Sequence, residues 1–282
     1  MMIITSPKEM LDYCNSARIN GKTIGLVPTM GAFHDGHISL MRSARVENDL
    51  VVTSIFVNPT QFGPKEDFNA YPRDLESDSK LASQVGVDVI FAPTVNDMYP
   101  NGYATFVNVE RITEKLCGAS RPVHFRGVTT IVAKLFNIIR PHKAYFGQKD
   151  AQQCVVIKRM TEDLNFDIDI VIMPTIRETD GLAMSSRNKY LNAQERQSAL
   201  VLSKSLFKAQ DMIKSGQINA VDILHNMKQM IDAEPLAKID YISIVDGETL
   251  DDIKEIKANT LIALAVFIGK TRLIDNIIIL SL

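Results

Sequence analysis

Two histidines stand three apart in the segment Pro28-Thr29-Met30-Gly31-Ala32-Phe33-His34-Asp35-Gly36-His37. A short apolar, β-favouring stretch (23–28) precedes them, and a helical pattern over 37–48 follows. At a helix start, residues three apart face the same way. The free N–H groups and positive dipole end there suit a polyphosphate. Imidazoles at that place donate to phosphoryl oxygens as negative charge builds on them. Gly36 permits close backbone approach by a ligand. Zinc would need a third ligand, and none lies nearby at a usual spacing.

Three further sets carry chemistry. Phe56-Val57-Asn58-Pro59-Thr60-Gln61-Phe62-Gly63 ends an apolar run in a Pro/Gly turn with two amides. Amides hold hydroxyls and carboxylates without adding charge. Phe146-Gly147-Gln148-Lys149-Asp150-Ala151-Gln152-Gln153 puts a lysine at a strand-to-helix turn, where it can meet a phosphate as a point charge. Asp150 suits either a helix cap or ribose hydroxyls. Asp180-Gly181-Leu182-Ala183-Met184-Ser185-Ser186-Arg187-Asn188 sets two hydroxyls before a planar guanidinium, a compact donor set for phosphate. The segments around Tyr71-Pro72-Arg73-Asp74 and Arg121-Pro122-Val123-His124 also read as ordinary loop polarity. No hydrolase elbow or P-loop occurs.

The elements that must position these residues alternate. Helical patterns cover 7–20, 37–48, 74–85, 128–139 and 151–163. Strand-like runs cover 23–28, 50–57, 87–92, 143–146 and 168–173. Such alternation predicts an α/β fold, a Rossmann-like doubly wound parallel sheet with helices on both faces. Ligands then bind at the carboxyl ends of the strands, and three of the polar sets fall just after the strands 23–28, 50–57 and 143–146. Beyond about 176 the pattern changes to helices at 193–215 and 220–233 and strands at 241–245, 261–267 and 273–279. We therefore expect a catalytic domain over 1–176 and a smaller α+β domain over 177–282.

Bulk properties narrow the function. The chain has 282 residues, net charge -2, and no strongly basic tract, which weighs against coating nucleic acid. Three scattered cysteines, Cys14, Cys117 and Cys154, fit a reducing compartment and buried apolar positions. No signal-peptide pattern or bilayer-length apolar run is present. A cytoplasmic protein without a membrane partner is expected.

HxGH resembles the HIGH signature of the nucleotidylyltransferase superfamily, and Met184–Arg187 looks like its second, KMSKS-type loop. The ordered set PTMGAFHDGH, FVNPTQF, YPRD, RPVHFRGV, YFGQKDAQQ and DGLAMSSRN resembles the pantoate–β-alanine ligase family, densely over 25–192 and more loosely to the C-terminus. The resemblance implies that pantoate carboxylate attacks the α-phosphate of ATP, and that the β-alanine amine then displaces AMP to give pantothenate. It implies ATP contacts from Met30, Gly31, Ala32, Phe33, His34, Asp35, Gly36 and His37, with His37 as proton donor. On the same ground Gly147 and Asp150 would hold ribose, Ile176 the adenine through its backbone, and Lys149 the phosphates, with Gln148 also at the nucleotide. Ser185, Ser186 and Arg187 would close over the phosphates, with Met184 also at the nucleotide. Gln61 and Gln153 would hold pantoate, with Gln61 also near β-alanine; Asn58, Tyr71 and Arg121 are further candidates. Mg²⁺ is expected on the ATP phosphates with Asp78 nearby, and the family resemblance suggests a homodimer. The leading lysine of KMSKS is absent here, and Lys149 would supply that charge. A phosphate-adenylylating enzyme shares HxGH, but paired glutamines fit a carboxylate acceptor better than a second phosphate. A tRNA-charging enzyme would need a basic surface and an anticodon-reading region.

Overall fold

The computed structural model describes residues 1–64 and 66–281, and the statements below concern those residues. Six parallel strands form one sheet: β1 (Met2–Ile4), β2 (Ile24–Thr29), β3 (Leu50–Ile55), β4 (Val89–Phe91), β5 (Lys143–Gly147) and β6 (Asp169–Met173), in the order β1-β4-β3-β2-β5-β6. Neighbouring residues of one strand serve opposite faces. Leu26, Val52 and Phe91 face a core shared with α1 (Pro7–Ile19), α6 (His124–Ile139) and α7 (Ala151–Asp163). Val27, Val51 and Ile90 face a second core shared with α2 (Asp35–Glu47) and α3 (Leu75–Gln84). Continuous apolar runs in β3 and β4 thus follow from burial on both sides. Two four-residue helices, α4 (Val95–Met98) and α5 (Cys117–Ser120), lie in the long β4-to-α6 connection.

The strand order reverses at β2. This strand pairs with β3 along its whole length, Ile24 to Thr29, but with β5 only at Gly25 and Leu26. The carboxyl halves of β2 and β5 therefore splay apart, and the crevice opens there. This is the switch-point location at which open α/β sheets bind ligands.

The C-terminal part holds α8 (Ala193–Ser198), α9 (Leu200–Lys214) and α10 (Ala220–Asp232), then the antiparallel sheet β7 (Ala237–Asp246), β8 (Thr260–Ile268) and β9 (Thr271–Ile279). One face of this sheet packs on α9 and α10 through Ile262, Leu264, Leu273 and Ile277. Its other face meets the first unit through Tyr241 and Ile274.

The expected α/β class is what the structure shows, with boundary differences. The strand β1 has no counterpart in the sequence reading, because three residues carry too little pattern. Helix α6 starts at His124 rather than 128, α2 starts at Asp35 rather than 37, and the stretch 193–215 is divided at Ala199. Residues 124–127 lack apolar periodicity, since Gly127 packs by having no side chain.

Helix α6 crosses the turn after β3 at Gly127. A Cβ there would lie 2.5 Å from the Thr60 carbonyl oxygen and 2.6 Å from Gln61 Cα. Gly127→Ala is therefore expected to lower stability by about 1–3 kcal/mol, as overpacking does. Denaturant unfolding checks this; an unchanged midpoint would show that the turn yields freely.

Candidate active site

The chain leaves β2 through a tight turn. Gly31 and Ala32 both have positive φ, +85° and +55°. Asp78, from α3, accepts the N–H of Ala32 at 2.8 Å and of Phe33 at 2.7 Å, one on each carboxylate oxygen. It is buried and does not line the cavity described below. Its carboxylate, expected beside a metal, is thus turned to bracing this turn, and Ser77 beside it donates its N–H to Asp74. Among the described residues no group of three or more His, Cys, Asp or Glu is arranged to hold a metal.

The turn delivers His34 as N-cap of α2. Its Nδ1 accepts the Gly36 N–H at 3.1 Å, and His37 Nδ1 accepts the His34 N–H at 3.4 Å, a reciprocal capping box built from two imidazoles. The His37 N–H donates to the His34 carbonyl at 2.8 Å. The helix start is therefore partly capped by its own histidines, and fewer backbone N–H groups are free than the sequence suggests. Gly36 also has a different reason: a Cβ there would lie 2.8 Å from the His34 ring. The missing side chain lets that ring fold over the helix start.

This capping fixes the protonation pattern. In a neutral ring whose Nδ1 accepts, the proton sits on Nε2. Burial, aided by Lys149, pushes His34 down to about 4. Burial, then His34 and Lys149, pushes His37 down to about 3. The ring centroids are 4.1 Å apart. Both rings thus offer an Nε2–H donor without carrying a charge.

Beyond β3, Asn58 is buried. Its amide donates to Gln61 Oε1 at 3.1 Å and to the Gly127 carbonyl at 3.0 Å, while its Oδ1 accepts from Thr60 and Tyr99 hydroxyls. It does not line the cavity and serves to hold Gln61. The Gln61 carbonyl accepts from Arg121 at 3.4 Å and lies 2.9 Å from His124 Nδ1. A carbonyl only accepts, so His124 carries its proton on Nδ1. Burial, aided by Arg121, pushes its pKa to about 4. The residue types alone gave no reason to single out His124.

Beyond β5, Asp150 makes no capping hydrogen bond to α7, so its carboxylate stays available. The Lys149 ammonium is 3.9 Å from it. Gln148 turns away, donating to Asn276 on β9 at 3.2 Å. Gln152 and Gln153 both border the cavity, but the Gln152 amide is spent on Cys117, Ile112 and Lys115 backbone groups.

After β6, residues 176–184 fold back on themselves. Met184 N–H donates to the Ile176 carbonyl at 3.0 Å, and Arg177 bridges Ala183. The Ser185 hydroxyl accepts the Arg187 N–H at 3.3 Å, and the Ser186 hydroxyl donates to Tyr71 at 3.4 Å. The guanidinium of Arg187 binds both oxygens of Asp67 at 3.0 Å. Burial would raise the Asp67 pKa, but Arg187 outweighs it and holds the carboxyl below its usual range. Arg121 pairs likewise with Glu66, at 2.5 Å.

One cavity of about 270 Å³ collects these elements. His34, Gly36, His37, Met30, Gln61, Tyr71, Arg121, Gly147, Lys149, Asp150, Gln153, Ile176, Met184, Ser185, Ser186 and Arg187 line it. Gly31, Ala32, Phe33, Asp35 and Gln148, also expected at the nucleotide, do not; the first three shape the turn and Asp35 opens α2. The crevice at a strand-order reversal, with neutral imidazole donors on one wall and Ser, Lys and Arg on the others, defines an ATP-handling enzyme of the nucleotidylyltransferase type.

The family profile described as pantoate-beta-alanine ligase matches residues 2–278. The chain belongs to that family, whose reaction is the ATP-dependent condensation of pantoate with β-alanine, and it is a ligase forming an amide bond. A pantothenate synthetase of Acetivibrio thermocellus is 57% identical over 279 residues, 99% of each chain. That of Moorella thermoacetica is 56% identical over the same share. The crystal structure of the Thermus thermophilus enzyme superposes with a TM-score of 0.94 at 43% identity, covering 100% of both chains. The Francisella tularensis ligase, solved with β,γ ATP and β-alanine, gives 0.81 at 37% identity, covering 99% of this chain and 97% of its own.

Three half-buried histidines, His34, His37 and His124, make stability depend on pH. Their folded pKa values lie below the unfolded value of 6.5, so the unfolded chain binds more protons at low pH. Stability is accordingly expected to fall as pH drops from 6.5 through about 4 for His34 and His124, and on to about 3 for His37. Imidazole NMR shifts in the ligand-free protein should report neutral His34, His37 and His124 at about pH 5.5, between the folded and unfolded values. An imidazolium signal from any of them at that pH would contradict the burial argument.

Proposed function

We propose that the cavity residues divide the family reaction as follows. Pantoate, held by Gln61 and Gln153, attacks the α-phosphate of ATP through its carboxylate; the α–β bridge breaks, and pyrophosphate leaves. The β-alanine amine, positioned near Gln61, then attacks the acyl carbon of pantoyl adenylate; AMP leaves and the amine proton goes to solvent or a nearby base. Ile176 holds adenine through its backbone, while Gly147 and Asp150 hold ribose.

The observation that carries this reading is the convergence of neutral and charged donors on one cavity. Charge grows on the α-phosphate and on departing pyrophosphate, and prearranged donors stabilise it without being consumed. His34 and His37 present Nε2–H, Lys149 adds a point charge, and Ser185, Ser186 and Arg187 close from the opposite loop. Arg187 exchanges Asp67 for phosphate in doing so. The triphosphate raises the basicity that burial has lowered, which suits His37 to carry a proton within the complex. Mg²⁺ bound with ATP would offset the charge of its phosphates; among the described residues the chain supplies no ligand cluster of its own. No described helix is long and apolar enough to cross a membrane.

We also propose a catalytic unit over 1–176 and a unit over 177–282 that closes as a lid, a homodimer on family resemblance alone, and a cytoplasmic location that the three scattered cysteines support. Lid closure should protect amides 176–188 from hydrogen exchange when ATP binds, and unaltered exchange there would argue for an immobile wall.

Incubation with Mg·ATP, pantoate and β-alanine is expected to release AMP only when pantoate is present. His37→Ala and Lys149→Ala should each slow adenylate formation by roughly 10²-fold or more, as loss of one transition-state donor does. Near-normal single-turnover rates in either variant would remove that residue from the mechanism.

A further inference from the structure

Strand β9 carries two buried polar side chains in succession, Asp275 and Asn276, exposed by only 2% and 3%. Adjacent strand residues point to opposite faces. The flanking residues show which face is which: Leu273 and Ile277 belong to the core under α9 and α10, whereas Ile274 packs on the first unit. Asn276 therefore faces the first unit. Its Nδ2 donates to the carbonyl of Gln148 at 2.9 Å and to that of Lys149 at 3.0 Å, while its Oδ1 accepts from Gln148 Nε2.

Asp275, on the other face, grips a different loop. Its carboxylate accepts from both terminal nitrogens of Arg177 at 2.6 and 2.9 Å, and also accepts the Asn276 N–H at 2.8 Å. Arg177 in turn donates to the Gly181 carbonyl at 3.1 Å, across the fold-back that leads into Ser185–Arg187. Two neighbouring residues of one strand thus hold the Lys149 turn and the root of the serine loop. A bidentate guanidinium–carboxylate pair fixes direction as well as distance.

Lysine is a long, flexible side chain, so its backbone must be anchored if its ammonium is to meet one phosphate oxygen reproducibly. The turn Gln148–Asp150 is a single 3-10 turn with no side-chain cap of its own. Asn276 supplies the missing anchor from another sheet.

We propose that Asp275 and Asn276 are a positioning pair for the adenylation half-reaction: they set the spacing between Lys149 and the Ser185–Arg187 loop across the cavity. Neither is assigned a chemical step. The inference rests on reading Lys149 as a phosphate donor. Pyrophosphate departs only in the first half-reaction, so mispositioning should weigh there more than on the release of AMP.

The test compares two rates in the full-length protein: pantoate-dependent ATP–pyrophosphate exchange, and aminolysis of supplied pantoyl adenylate by β-alanine. Asn276→Ala is expected to slow exchange by about tenfold to a hundredfold, the scale of an ångström's misplacement, with a much smaller loss in aminolysis. Asp275→Asn, which keeps shape but gives up the charge facing Arg177, should show the same imbalance. Asn276→Ser retains one donor and should recover part of the exchange rate; it also carries the comparison if the alanine variant does not fold. Equal losses in both half-reactions would reduce the pair to a structural role and overturn the proposal. Lys149→Ala run alongside separates the two readings. Slow exchange in that variant with normal exchange in Asn276→Ala overturns the positioning role alone. Normal exchange in Lys149→Ala overturns the role of the lysine, and the positioning role with it.

Discussion

The turn after β2 is held in an unfavourable backbone shape by one buried carboxylate. Ala32 at φ +55° costs about 1–2 kcal/mol relative to ordinary backbone. The two N–H bonds that Asp78 accepts from Ala32 and Phe33 outweigh this, because hydrogen bonds to a charged acceptor contribute about 1.5–3 kcal/mol each. Burial raises the Asp78 pKa, and those same two bonds pull it back. Everything downstream depends on this turn. It sets where α2 begins, and the start of α2 sets where both imidazoles point. Gly31 belongs to the same constraint, since a Cβ there would crowd Asp78 and Ile55.

A second consequence concerns charge. The wall beside the crevice carries two imidazoles that burial keeps neutral, and each has its proton directed away from the helix it caps. The cationic groups sit on other loops, and two of them are paired with carboxylates of a single segment, Glu66 with Arg121 and Asp67 with Arg187. Such half-buried pairs keep the cavity from holding several unpaired cations, which would repel one another in a poorly solvated space.

The two sheets are joined by polar contacts as well as by apolar packing. Tyr241 and Ile274 seal the junction with hydrophobic surface, but surface of that kind is indifferent to small slides. Directional contacts across it include Ser120 to Asp240, Lys115 to Asp251 and Asn276 to the Lys149 turn, while Asp275 ties the Arg177 root to the same strand far along the chain. The interior of the second unit thereby reaches the chemistry of the first.

The sequence by itself determined the α/β class, because the periods of its apolar residues switch repeatedly between strand and helix, and it determined the donor types, because motifs such as HxGH and Met184–Arg187 are local. It also placed the polar sets beyond strand ends, which is where the cavity lies. What it did not contain were the partners supplied at long range. Asp78 reads as a polar residue on a helix, and only tertiary packing brings it beneath Ala32. Asn58 and Gln61 look alike on paper; one is buried as a brace and the other lines the cavity, because α6 crosses at Gly127. Gln148 and Lys149 are neighbours with opposite fates, since β9 captures one side chain and leaves the other to the crevice. Local spacing fixes which groups a segment offers. Hydrogen-bond partners distant in sequence decide which of those groups are spent on the fold and which remain free for a ligand.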